Sequence, residues 1–204
     1  MIILTIDTTG EHIFGVLQRN DEVIDEISSN RSNRHAEYLL TLMKDFLSRN
    51  DLSYKSVDCF SAISGPGSFI GLKVSIAFIK AVVCVLFDRK IILNSIFQIL
   101  SFCREYDFVV LEANATNLYV NDSEQNNFYW DRKNFFDSLD GEKRIITNSH
   151  NVMDFLKTSN SVFRQVDARG IAALNYFRYT RGQFDVGEIK PTYIRELQVN
   201  TKHG

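Results

Sequence analysis

Ile2-Ile3-Leu4-Thr5-Ile6-Asp7-Thr8-Thr9 opens the chain, and Val109-Val110-Leu111-Glu112-Ala113-Asn114-Ala115-Thr116 restates its pattern near the midpoint. In that alignment apolar positions coincide, Asp7 faces Asn114 and Thr9 faces Thr116. A near-continuous apolar run is the pattern of a buried strand. Each copy is followed by a second strand-like segment, Ile13–Leu17 and Leu118–Val120. A third strand over Glu22–Ile27 then gives way to helical spacing at Leu39, Leu40, Met43, Phe46 and Leu47, which predicts an amphipathic helix over 34–49. Val57–Ile63 reads as a strand, 69–87 as a long helix, 90–93 as a strand and 95–104 as a helix. Beyond the repeat, Arg144–Ile146 and Ser161–Gln165 read as short strands, and Val152–Leu156 and Ala168–Tyr179 as helices. Duplication together with this order predicts two related α/β lobes, 1–104 and 105–204.

Composition limits what such a protein can be. A chain of 204 residues should bury roughly 70% of its extended surface and needs no disulfide or metal to fold. The formal net charge is −2 and the pI about 6.1, which argues against a broad basic surface that grips nucleic acid unaided. Residues 164–204 are the more basic part, with seven Lys/Arg against four Asp/Glu. Cys59, Cys84 and Cys103 are odd in number and never in a CxxC pair, so no disulfide framework or zinc knuckle is expected. MIILTID lacks a basic leader and turns acidic at Asp7, and the longest apolar run, Ala81–Phe87, is short for a membrane span. A cytoplasmic protein is expected, without a membrane partner.

The chemistry-bearing candidates are few. Gly65-Pro66-Gly67-Ser68-Phe69-Ile70-Gly71-Leu72-Lys73 lies between a strand and a helix. Such a turn either serves packing or presents helix N–H groups to an anion, with Gly65, Gly67 and Ser68 as the binding candidates. It is neither a Walker loop nor GxGxxG. Asp7, at a strand end, is placed to meet a cation or phosphate. His12, His35, His150 and His203 make no HxxxH or HExxH pattern, and Gly-x-Ser-x-Gly is absent. On the long helix Leu72, Ile76, Ile79, Val83 and Leu86 form one apolar stripe, while Val74, Phe78, Val82 and Val85 form another. The second stripe must be covered either by another helix of this chain or by a partner.

Taken in order, Asp7-Thr8-Thr9, Arg34-His35-Ala36-Glu37 with Leu39-Leu40, the Gly65–Lys73 turn and Pro191-x-Tyr193-Ile194-Arg195 resemble the bacterial TsaB (YeaZ) family. The chain departs from that family's usual Ser, Thr and Arg with Ala36, Ile70 and Lys73, and has Glu112-Ala113-Asn114 where Asp-Ala-Arg is frequent. The resemblance implies an actin-like, Hsp70-like ATPase fold of two ribonuclease-H-like lobes. It implies a non-catalytic subunit in forming N6-threonylcarbamoyladenosine at position 37 of tRNAs reading codons beginning with A. The partners implied are the catalytic paralogue TsaD, as a heterodimer, and TsaE, with tRNA held through the complex.

The implied interface comprises His35, Glu37, Leu40, Leu72, Val74, Phe78, Val82 and Val85. No cofactor is implied for this chain alone; a nucleotide at the complex interface and a homodimer of the free chain stay open. In TsaD-type proteins two histidines four apart hold a metal. The matching stretch here is Asn94-Ser95-Ile96-Phe97-Gln98-Ile99, and isoleucine cannot be a ligand. A glycoprotease activity is unexpected on the same ground. Two other readings compete: a nucleotide-dependent transferase or kinase of this fold, which needs an acidic metal pair, and a homodimeric binding module unconnected with tRNA.

Overall fold

The computed structural model describes residues 1–29, 35–156, 160–187 and 189–194, with only the backbone at 35 and 36. The chain divides into two compact units, Met1–Arg104 with Gln165–Thr192, and Glu105–Arg164 with Tyr193–Gly204.

The first unit is built on a five-stranded sheet in the order β3-β2-β1-β4-β5. Its strands are β1 (Ile2–Asp7), β2 (Ile13–Arg19), β3 (Glu22–Ser29), β4 (Cys59–Gly65) and β5 (Lys90–Ser95). β1, β2 and β3 form an antiparallel meander, and β4 and β5 add in parallel beside β1. The parallel pairings need crossovers, which are the helices α1 (His35–Ser48) and α2 (Phe69–Leu86). α1 buries Leu39, Met43, Phe46 and Leu47, as its spacing requires, but leaves Leu40 59% exposed. α3 (Ile96–Ser101) is shorter than the 95–104 predicted. Ser95 caps it by accepting from the Gln98 N–H, while the Gln98 side chain accepts from the Ser95 N–H.

The second unit repeats this plan. Its sheet order is β10-β9-β6-β7-β8, with β6 (Phe108–Glu112), β7 (Asn117–Asp122), β8 (Asn127–Asp131), β9 (Ile145–Thr147) and β10 (Ser161–Phe163). β6, β7 and β8 are antiparallel neighbours, and β9 and β10 run parallel with β6. The crossovers are α4 (Arg132–Ser138) and α5 (His150–Phe155). β8 and α4 were not legible in advance, because NFYWD is short and mixed in polarity. The expected actin-like, two-lobed α/β architecture is therefore present as two copies of one sheet topology.

Residues 165–192 depart from the sequence reading, which placed all of 105–204 in one lobe. α6 (Ala168–Thr180) packs on the first unit's sheet through Ile171 and Leu174, beside Val16 and Ile63. Its buried Asn175 spans four strands. The Asn175 Nδ2 donates to Thr5 Oγ1 (2.8 Å) and Gln18 Oε1 (3.0 Å). The Asn175 Oδ1 accepts from Ser61 Oγ (3.0 Å) and Asn94 Nδ2 (2.7 Å). Thus β1, β2, β4 and β5 are tied to one helical side chain, and each polar group finds a partner away from water. The bonding reaches farther out through Arg178, which donates to Leu93 O (2.6 Å) and Asn94 Oδ1 (3.0 Å) and pairs with Asp185 (2.9 Å).

α2 is long and apolar enough, by length and composition alone, to cross a membrane. Here Gly71, Leu72, Ser75, Ile76 and Ile79 are buried in the first unit, so one side of the helix packs on the protein while most of its length is not buried.

Candidate functional site

Three stretches singled out in the sequence meet at the C-terminal ends of β1 and β4. The Asp7 carboxylate accepts from the Thr9 N–H at 2.8 Å, a local turn that short acidic side chains favour. Thr9 O accepts from the Ser68 N–H at 2.9 Å, and Thr8 Oγ1 donates to Gly71 O at 2.5 Å. Ser68 caps α2 by accepting from the Gly71 N–H at 3.3 Å. On the other side Thr192, beside Pro191, donates its N–H to Ser64 O at 2.8 Å.

The glycines of this turn are explained by close packing. Gly65 has φ +129°, and a Cβ there would lie 2.8 Å from Thr192 O. A Cβ on Gly71 would lie 1.8 Å from Thr8 O, and one on Gly67 would lie 2.6 Å from the Thr9 Cβ. The space that glycine leaves for a phosphate in a nucleotide loop is filled here by the chain's own Thr8 and Thr9. Of the two readings of the turn, the geometry supports packing. Arg195 and Arg34 lie outside the described residues.

The second unit carries a matching turn. Asn114 Oδ1 accepts from the Thr116 N–H at 2.9 Å and the Asn117 N–H at 2.9 Å, as Asp7 does from Thr9. Asn114 therefore keeps the bond without the charge. Beside it, Glu112 accepts from Arg132 Nη2 (2.6 Å) and Ser149 Oγ (3.0 Å). The Arg132 hydrogen bond above all holds the Glu112 carboxyl below the ordinary carboxylate range, against the opposing effect of burial. Neither this cluster nor Asn175 was singled out in the sequence. The available signal was polar residues inside apolar strands, namely Thr5, Ser61 and Asn94.

The implied interface residues fall into different environments. Glu37, Leu40 and Val85 are exposed, Val85 by 74%. Val74, Phe78 and Val82 are half-buried and pack against the first unit's core, Phe78 with its ring 6.1 Å from that of Tyr54. Burial, then the nearby Asp45 carboxylate, push the Tyr54 phenol up to about 12. Leu72 is a correction. At 2% exposure it lies in the core and offers nothing to a partner, because helical spacing defines stripes without saying which one meets the sheet. The His35 side chain lies outside the described residues. Ile99 is buried (1% exposed), packed in the same core as α6. Among the described residues no group of three or more His, Cys, Asp or Glu is arranged to hold a metal ion.

Solved structures share the fold. YeaZ from Pseudomonas aeruginosa is 17% identical over 94% of this chain and 99% of that chain, with a TM-score of 0.72. Another solved structure, of a protein with similarity to peptidase YEAZ from Pseudomonas aeruginosa, is 17% identical over 95% of this chain and 99% of that chain, with a TM-score of 0.73. The activator of 2-hydroxyisocaproyl-CoA dehydratase from Clostridium difficile, with bound ADPNP, is 9% identical over 93% and 100%, with a TM-score of 0.51. Residues 22–125, slightly more than half of the chain, match the family model TsaD: tRNA N6-adenosine threonylcarbamoyltransferase, and the chain belongs to that family.

Proposed function

We propose that this chain is a cytoplasmic, non-catalytic scaffold subunit for forming N6-threonylcarbamoyladenosine at position 37 of tRNAs reading codons beginning with A. It works as a heterodimer with catalytic TsaD, joined by TsaE, and tRNA is held by the complex. The observation that carries this reading is the family match over 22–125 in a chain with Ser95 and Ile99 where the resemblance puts metal-binding histidines. Ser95 caps α3 and Ile99 fills the core, so both positions serve folding. The exposed Leu40 and Val85, with Glu37 on α1, are the surface offered to TsaD. The modest net charge of −2 fits a subunit that leaves most of the tRNA contact to its partner.

The test is to purify the chain with its cognate TsaD and TsaE and assay modification of adenosine 37. Modification that requires both this chain and TsaD is the expected result. Full modification without this chain, or turnover of ATP by this chain alone, overturns the scaffold reading.

A further inference from the structure

The first unit's sheet ends at β3 on one side and at β5 on the other. An uncovered edge strand presents N–H and C=O groups on which another chain can pair. β3 (EVIDEISS) carries Glu22, Asp25 and Glu26, charges that discourage such pairing. β5 (KIILNS) has only Lys90, at its start, and its Ile91-Ile92-Leu93 centre is apolar and free of charge and proline. Left open, a segment of that kind pairs readily.

The segment after α6 closes this edge. The Asp185 N–H donates to Ile91 O at 2.9 Å, and the Asp185 carboxylate accepts from the Leu93 N–H at 2.7 Å. Asp185 thus does with one backbone and one side-chain group what a residue of a neighbouring strand does with two backbone groups. Arg178 donates to Leu93 O at 2.6 Å and to the same carboxylate at 2.9 Å. Gly182 (φ +66°) and Gly187 (φ +78°) bound the segment, and at neither would a Cβ meet another atom within 4 Å. These glycines therefore serve the turning of the backbone rather than packing. Phe184 seats the segment against Tyr179, ring centroids 5.2 Å apart, while Val186 is 85% exposed.

We propose that residues 182–187 are a strap that keeps β5 from pairing with β5 of a second copy of this chain, an autoinhibitory contact latched by the Arg178–Asp185 pair. The edge under the strap is self-complementary. An antiparallel copy of β5 with Ile92 across from Ile92 sets Ile91 of each chain against Leu93 of the other. Ile91 and Leu93 are the residues whose backbone groups the strap occupies, and in that register each pair exchanges both hydrogen bonds with apolar side chains opposed. The strap lies within the first unit and does not depend on the tRNA reading.

The experiment combines amide hydrogen exchange by NMR with sedimentation of the full chain over a range of concentrations. Asp185→Ala should speed exchange of the Leu93 amide about tenfold at low concentration. As concentration rises, its mass should climb above that of wild type toward twice the value, and the Leu93 amide should slow again as copies pair. Asp185→Asn keeps an acceptor for the Leu93 N–H without the charge that pairs with Arg178, and should fall between. Thermal melts verify that each variant is folded. If Asp185→Ala fails to fold, Phe184→Ala, which unseats the strap from Tyr179 without removing a hydrogen bond of β5, takes its place and should show the same two changes. A strap that serves stability alone would give faster exchange with no change in mass. That result, a Leu93 amide as protected in the variant as in wild type, or a rise in mass with no slowing of Leu93 overturns the proposal.

Discussion

Replacing Asn175 by leucine, close in size and unable to hydrogen-bond, tests whether one helical side chain ties the first unit's sheet together. The native amide is fully buried and makes four hydrogen bonds, to Thr5, Gln18, Ser61 and Asn94. Each orphaned buried group costs about 1–3 kcal/mol. The two hydroxyls can rotate toward other partners, whereas the Asn94 Nδ2 and Gln18 Oε1 lose theirs, so the sum belongs near the low end, about 4 kcal/mol. That is a large share of a stability of roughly 5–15 kcal/mol. In a chain of this size it lowers Tm by roughly 10 °C. Urea unfolding followed by far-UV circular dichroism measures it directly. Asn175→Asp, which keeps the acceptor and loses both donors, should fall between wild type and Asn175→Leu. The double variant with Asn94→Leu should cost less than the sum of the two single changes, because they share a bond. A loss below about 1 kcal/mol in Asn175→Leu, or strict additivity with Asn94→Leu, would refute the assignment.

Further outcomes follow from the same geometry. Gly71→Ala drives a methyl to 1.8 Å from Thr8 O, a backbone atom that cannot swing away, and should cost about 3 kcal/mol in a denaturant melt. Val85→Glu, at a site 74% exposed, should change stability by under about 0.5 kcal/mol yet abolish copurification with TsaD; an intact complex would remove α2 from the proposed interface. Phe78→Glu and Val82→Glu are poorer probes, because both side chains also support the core. Glu112 has a lowered folded pKa, so its stabilisation is present above its ordinary value of 4.5 and is lost as pH falls through the lower folded value. Glu112→Gln should therefore flatten the acid limb of a stability–pH curve. Burial pushes the Cys59 thiol up, while Cys84 and Cys103 are exposed, so iodoacetamide should label the latter two in the native chain and spare Cys59.

The sequence by itself determined the parts of this protein that local pattern encodes. Apolar runs located β1 and β4, period 3.6 located α1 and α2, and the restart at Val109 announced a second sheet. The alignment of Asp7 with Asn114 was legible too, and both side chains close the same turn onto Thr9 and Thr116. What only the tertiary structure decided were relations between distant segments. Nothing local in ARGIAALNYFRYT says that Asn175 serves four strands of the other half of the chain. Nothing in the spacing of α2 says that Leu72 faces the sheet and Val85 faces out. The glycines of the Gly65–Lys73 turn read equally as a phosphate cradle or a packing device until Thr8 and Thr192 are placed against them. In each case the physical reason is the same: hydrogen bonds and steric exclusion act through space, over separations that the order of residues along the chain does not record.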